Sequence, residues 1–292
     1  MSIIEQFKNY RLNIKGQSEN TINGFLSDLN LFFNYINLDM NNLTINQLQN
    51  IDEIQLEEFI VYCKNERNNS ASACNRKICS LKAFFEFCYD KKEYIKKDPS
   101  KKLEKSKLPS RKPIYLTQEE TDKLIDSINT NERHGLRDKC IVSIFTKCGL
   151  RISELVNLKI TDINRDEITV IGKGDKQRTV VMNKTCMDIY KEYLEKRLLS
   201  DIESEYLFLS QKGNRISKRT VEDIISKITI KSGIDKNITP HKLRHTCATN
   251  LKKNGVDILT IQKILGHESV STTQIYAHVD MDDVREAVRK IG

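Results

Sequence analysis

Ile22, Phe25, Leu26, Leu29, Phe32, Phe33 and Ile36 recur at the i, i+3, i+4, i+7 spacing that lines one face of an α-helix. Ser18 stands just ahead of that stripe, and its hydroxyl predicts an N-cap. Asp52 precedes a second stripe of Leu56, Phe59, Ile60 and Cys63, and a third runs through Ile78, Leu81, Phe84, Phe85 and Cys88. Short helices bury such stripes only against one another, so residues 1–93 predict a compact helical bundle.

The pattern then breaks. From Lys91 to Lys112 there are ten Lys/Arg against three Asp/Glu, a local charge of +7, and Pro99, Pro109 and Pro113 lie in or beside this run. A domain boundary falls here, with residues 94–113 as a basic interdomain linker and 114–292 as the second domain. On charge alone the run is a solvated connector; the functional alternative is a segment lying along phosphates.

Beyond it, Thr117-Gln118-Glu119-Glu120 predicts a capping box, in which Thr117 and Glu120 satisfy each other's backbone N–H groups. A helix from about Leu136 ends at Gly149, and another begins near Arg151. Then the period shortens. Ile168, Val170 and Ile171 form one β-prone run and Arg178 to Met182 another, with Gly172-Lys173-Gly174-Asp175 between them, which predicts a hairpin. Thr239-Pro240 reads as N-cap and first position of a helix running toward Gly255. Asp257 caps the next, which ends at Leu265-Gly266. The fold class is mainly α with a small β-sheet or hairpin: an N-terminal helical bundle and an α+β C-terminal domain.

Composition adds limits. A length of 292 residues suits two domains, and 38% hydrophobic and 30% charged residues suit ordinary cores with a polar surface. No apolar run approaches membrane-spanning length. Met1 to Tyr10 carries Glu5 and Lys8 and has no small-residue cleavage site, so it does not read as a signal peptide and a cytoplasmic protein is expected. Of the eight cysteines, Cys63, Cys79, Cys88, Cys140 and Cys148 sit in apolar helical stretches, and no C-x-x-C pair occurs, which favours buried free thiols over disulfides.

Five short groups carry candidate chemistry: Gly149-Leu150-Arg151-Ile152-Ser153-Glu154-Leu155, Gly172-Lys173-Gly174, His241-Lys242-Leu243-Arg244-His245, Leu265-Gly266-His267 and Tyr276-Ala277-His278. Taken singly, Arg151 and Arg244 are surface arginines or salt-bridge partners, Lys173 is a turn lysine, His267 a helix-end histidine, and Tyr276 one of ten tyrosines. Together they make a different set. Two guanidinium forks can hold a phosphodiester from both sides and stabilise the charge of a pentacoordinate phosphorane. An ammonium near other cations can protonate a leaving oxygen, and Lys176 rivals Lys173 for that part. His241 shares a helix face with Arg244. The spacing of His241 and His245 would also suit a metal, but Lys242 occupies the place where the zinc-protease pattern requires Glu, so no metal is expected.

In order and spacing these groups match the catalytic boxes of the tyrosine recombinase (phage integrase) family, most closely its Xer type. Ser18-Glu19-Asn20-Thr21 and Asn75-Arg76-Lys77, each leading into an apolar helix, resemble the same family's SAM-like core-binding domain, which clasps DNA. The resemblance implies a site-specific recombinase without cofactors. Tyr276 would be the nucleophile, Arg151 and Arg244 the phosphate clamp, and Lys173 the general acid. His241 would exchange a proton with the tyrosine, and His267 would hydrogen-bond the scissile phosphate. It reads His245 as structural and Glu154 as a partner for a nearby donor. The partners implied are duplex DNA with an inverted-repeat core site and a homotetramer or heterotetramer on two such sites. Lys101, Lys102, Lys105, Lys107 and Arg111 are candidate DNA contacts. Val284, Ala287, Val288 and Ile291 form a final apolar stripe that would fold onto its own domain or be donated to a neighbouring subunit. The rival readings are a type IB topoisomerase, a DNA-binding regulator that does not cut, and, more distantly, a metal hydrolase.

Overall fold

A computed structural model describes residues 1–109, 113–172, 177–200 and 202–266. The chain divides into two compact units, Met1–Arg111 and Lys112–Gly292.

The first unit is helical. Its elements are α1 (Ile3–Asn9), α2 (Glu19–Tyr35), α3 (Ile45–Gln49), α4 (Glu53–Asn65) and α5 (Ala71–Glu86). The expected caps form: Ser18 accepts from the Thr21 N–H, and Asp52 accepts from the Gln55 N–H while Gln55 accepts from the Asp52 N–H. The three apolar stripes converge on a core rich in phenylalanine, where Phe7 and Phe33 both meet Phe84 edge-on, at 5.4 and 5.6 Å between ring centroids. Such crossings are the arrangement aromatic quadrupoles favour. The basic stretch is anchored to this unit: Ile95 and Leu103 are buried, and Asn75 exchanges two hydrogen bonds with the backbone of Ser106.

The second unit begins with α6 (Gln118–Asp126), whose Thr117–Glu120 capping box forms as expected, and α7 (Gly135–Cys148). Residues Cys140 to Thr146 of α7 are buried without a break, as in a helix enclosed on all sides. After α8 (Ile152–Asn157) come β1 (Ile163–Asn164), β2 (Glu167–Ile171) and β3 (Gln177–Val181) in an antiparallel sheet of order β1-β2-β3. Ile171 pairs with Gln177 at the hairpin end, so the expected hairpin is present, extended by a strand too short to announce itself in sequence. Then follow α9 (Lys184–Leu198), α10 (Lys218–Lys231), α11 (Pro240–Lys253) and α12 (Ile258–Leu265). Helices α9 and α11 both pack against α7, which puts the end of α7 beside α11 and α12.

All eight cysteines are free and seven are buried. Among the described residues no helix is long and apolar enough to cross a membrane.

Candidate active site

Two helices end at the same place. Gly149 caps α7 and Gly266 caps α12, each in the left-handed conformation with φ of 64°. A glycine there avoids the Cβ strain other residues meet. Contact also demands it at Gly149, where a Cβ would come within 2.6 Å of the Leu265 side chain. The open carbonyls of both helix ends therefore lie close together, and the negative ends of two helix dipoles favour cations beside them.

Arginines supply those cations. Arg151 sits in extended backbone two residues past Gly149, at the start of α8. Its Nη2 donates to the Gly266 carbonyl at 2.6 Å and its Nη1 to Glu154 Oε1 at 2.9 Å, and 35% of the side chain stays exposed. Arg244, one turn into α11 and buried, donates from Nη1 to the Gly149 carbonyl and from Nη2 to the Leu265 carbonyl. The two arginines singled out from sequence thus reach adjacent carbonyls of one helix end, from elements about ninety residues apart in the chain.

A third arginine completes the set, and sequence reasoning passes over it. Arg178 of β3 donates from Nη1 and Nη2 to the two oxygens of Glu154, at 2.6 and 2.9 Å, and from Nε to the Ile264 carbonyl at 3.1 Å. Glu154 also accepts the Arg151 backbone N–H at 2.7 Å. Its burial raises the carboxyl pKa, but the hydrogen bonds from Arg178 and Arg151 and the charge of Arg178 outweigh that and hold it below the usual range. The reading of Glu154 as a partner for a nearby donor agrees with this geometry.

His241 lies exposed in the first turn of α11, three residues before Arg244 on the same face. His245 is buried, with its ring edge-on to Tyr115 at 6.1 Å between centroids. Burial, and then the neighbouring His241, lower its pKa to about 4, so it is neutral at pH 7. Lys101, Lys102, Lys105 and Lys107 are all exposed, and Lys102 lies 3.2 Å from Glu53. Lys173, its rival Lys176, His267, Tyr276, Arg111 and the final apolar stripe lie outside the described residues.

The phage integrase family matches residues 115–283, and its N-terminal SAM-like domain matches residues 4–92. The chain belongs to the phage integrase family of tyrosine recombinases. With the family comes the enzyme class: the chain is a site-specific recombinase. It is 41% identical to tyrosine recombinase XerC of Caldanaerobacter subterraneus over 99% of this chain and 86% of that one. It is 35% identical to tyrosine recombinase XerD of Listeria monocytogenes, over 95% and 94% of the two chains. Among solved structures it is similar to the XerH site-specific recombinase bound to a palindromic difH substrate in a post-cleavage complex. That match has a TM-score of 0.75 and 26% identity, over 98% of this chain and 84% of the other. Neither the topoisomerase nor the non-cleaving regulator is favoured by these likenesses.

Proposed function

We propose that this recombinase binds duplex DNA at an inverted-repeat core site and exchanges strands through a covalent 3′-phosphotyrosine on Tyr276. The observation that carries the reading is the convergence of Arg151 and Arg244 on the end of α12, directly before His267 in the chain. Two guanidinium forks held there suit a phosphate whose negative charge rises in the transition state. The Tyr276 oxygen attacks phosphorus as the bond to the 5′ oxygen breaks, and Lys173 delivers a proton to that oxygen. His241 accepts the phenol proton and His267 donates to the phosphate. The link conserves the energy of the phosphodiester, so a 5′-hydroxyl of a partner duplex reseals it without ATP. Two rounds pass through a Holliday junction. Four subunits, identical or of two related kinds, act on two sites in the cytoplasm, each with a helical unit of residues 1–93 and a catalytic unit of 114–292. The relatives' roles support this reading. So does the net charge of +8, of which the run from Lys91 to Lys112 alone contributes +7. The apolar stripe from Val284 to Ile291 serves as a tail donated to the neighbouring subunit.

The test begins with duplexes selected from a random library by binding, rebuilt as nicked suicide substrates. The native protein forms a covalent adduct in the presence of EDTA, and Tyr276→Phe binds equally but forms none. A normal adduct yield from Tyr276→Phe overturns the reading. Neutral replacement of Lys101, Lys102, Lys105 and Lys107 flattens the salt dependence of binding, by about 0.9 in log–log slope for each phosphate that is no longer neutralised.

A further inference from the structure

We propose that Arg178 is a positioning residue that keeps the Arg151 half of the phosphate clamp cationic; this rests on the reading of Arg151 as part of that clamp. Four facts set Arg178 apart. Its fork takes both oxygens of Glu154, at 2.6 and 2.9 Å. Its Nε takes the Ile264 carbonyl, at 3.1 Å. Only 12% of its side chain is exposed. And its aliphatic stem lies so close over Gly266 that a Cβ there would stand 2.8 Å from Arg178 Cδ. The donors all end inside the protein, so Arg178 acts through another group.

That group is Glu154. The same carboxylate takes the side chain and the backbone N–H of Arg151. The bonds close a ring: Arg151 to Glu154, Glu154 to Arg178, Arg178 to Ile264, and along α12 to Gly266, whose carbonyl returns to Arg151. The ring joins the turn after α7, strand β3 and the end of α12.

Charge gives the ring its purpose. Arg151 and Glu154 alone sum to zero (+1 − 1), which would leave a neutral pair where a phosphorane gathers negative charge. Arg178 brings the sum of these three to +1 and shares the oxygens of the carboxylate with Arg151. Lysine matches the charge but not the geometry, because an ammonium is a point charge without a planar fork. A second role is separable from this one, since Arg178 stands on the strand that follows Lys173 in the chain: action by placing that lysine. The two roles separate experimentally.

The experiment measures single-turnover adduct formation by the full chain on the selected suicide duplex, alongside single-site binding. R178Q leaves binding within a few-fold of native and slows cleavage about 100-fold, the lower end of what loss of one transition-state donor costs. R178K is intermediate. The double variant R178Q/E154Q, whose local charge is again +1, cleaves faster than R178Q alone. A duplex with a bridging 5′-thiolate, which leaves without a proton, rescues a Lys173→Ala chain but not R178Q. Native cleavage rates in both R178Q and R178K overturn the proposal, as does a double variant no faster than R178Q. Rescue of R178Q by the thiolate overturns it in favour of action through the lysine. If R178Q does not fold, R178M, which removes the charge and leaves the buried position filled by an apolar chain, is paired with E154Q as R178M/E154Q and compared with E154Q alone: native cleavage by R178K together with equal rates in those two overturns the proposal. Failure of the native protein to form a Tyr276 adduct is a distinguishable result, which overturns the underlying reading and this proposal with it, whereas a normal native adduct with unimpaired R178Q and R178K overturns this proposal alone.

Discussion

Asp28 in the first unit and Glu154 in the second are carboxylates with 3% of the side chain exposed, and each faces two basic residues. Asp28 of α2 lies 2.6 Å from Arg76 and 4.0 Å from Lys77, and accepts the Ser80 hydroxyl at 2.7 Å. All three partners belong to one helix, α5, and the Lys77 ammonium goes on to donate to Asn69. That network spans only these two helices and fixes the register of α2 against α5, with Arg76 more than half exposed at its edge. The partners of Glu154 come from two elements and continue to a third, with Arg151 a third exposed at the outer edge. The same chemical unit thus locks two helices in one place and holds a cation ready in the other. Each network leaves one arginine partly exposed, Arg76 at 55% and Arg151 at 35%, so exposure does not separate them; what does is that Arg151 shares the end of α12 with a second arginine, Arg244.

Removing the carboxylates tests this difference most severely. Asp28→Ala strands the buried Lys77 and Glu154→Ala strands Arg178, so each loses about 3–5 kcal/mol in chemical denaturation. At a temperature where both variants are folded, only Glu154→Ala loses single-turnover cleavage. Equal loss of cleavage in the two would erase the distinction.

Acid should separate the units next. All five histidines lie in the second unit. The folded pKa of His245, about 4, is below its ordinary value near 6.5. Between those values the unfolded chain binds more protons, so this contribution is fully present above pH 6.5 and is lost as pH falls toward 4. Calorimetry from pH 7 to 4.5 should show the second unit softening, with a flatter dependence in His245→Asn. The same slope in the variant would assign the softening to other groups.

The smallest effects concern glycines. Gly16 in the first unit and Gly266 in the second both have positive φ, of 60° and 64°. Nothing lies within 4 Å of a Cβ at Gly16, whereas one at Gly266 meets Arg178. Alanine at Gly16 costs about 1–2 kcal/mol from backbone strain alone. At Gly266 it costs more and slows cleavage as well. Thermal melts and adduct rates measured together check both, and an unimpaired Gly266→Ala enzyme would mean that Arg178 can shift without consequence.

Much of this architecture is legible in the amino-acid sequence. Ser18, Asp52, Thr117, Thr239 and Asp257 all cap where their positions predict, because capping and apolar stripes are local signals that packing reinforces. Arg151 and Arg244 are legible through the family pattern, and the structure brings them to one helix end; Lys173, His267 and Tyr276 remain expectations. Arg178 escapes that pattern, although a signal exists. It has the same strand parity as the buried Val180, and an arginine on an inward face requires a buried acid nearby. The anchoring of the basic stretch is hidden too: a run of lysines outweighs Ile95 and Leu103 in any count of charge, while in packing those two decide where it lies. Helices α9 and α10 are absent from the sequence reading, although α10 carries its own apolar stripe of Val221, Ile224, Ile225 and Ile228.

Three successive carbonyls, those of Ile264, Leu265 and Gly266, each receive a different arginine. Every amino acid carries that carbonyl, so the grip on the helix end is indifferent to which side chains stand at 264 and 265. Those positions are free to drift, or to be randomised in a laboratory, under the pressure of core packing alone. The chemistry is inherited through the backbone, and a lineage of such enzymes could replace much of its interior, and adapt to new temperatures or new DNA sites, while the arginines kept the same place to rest.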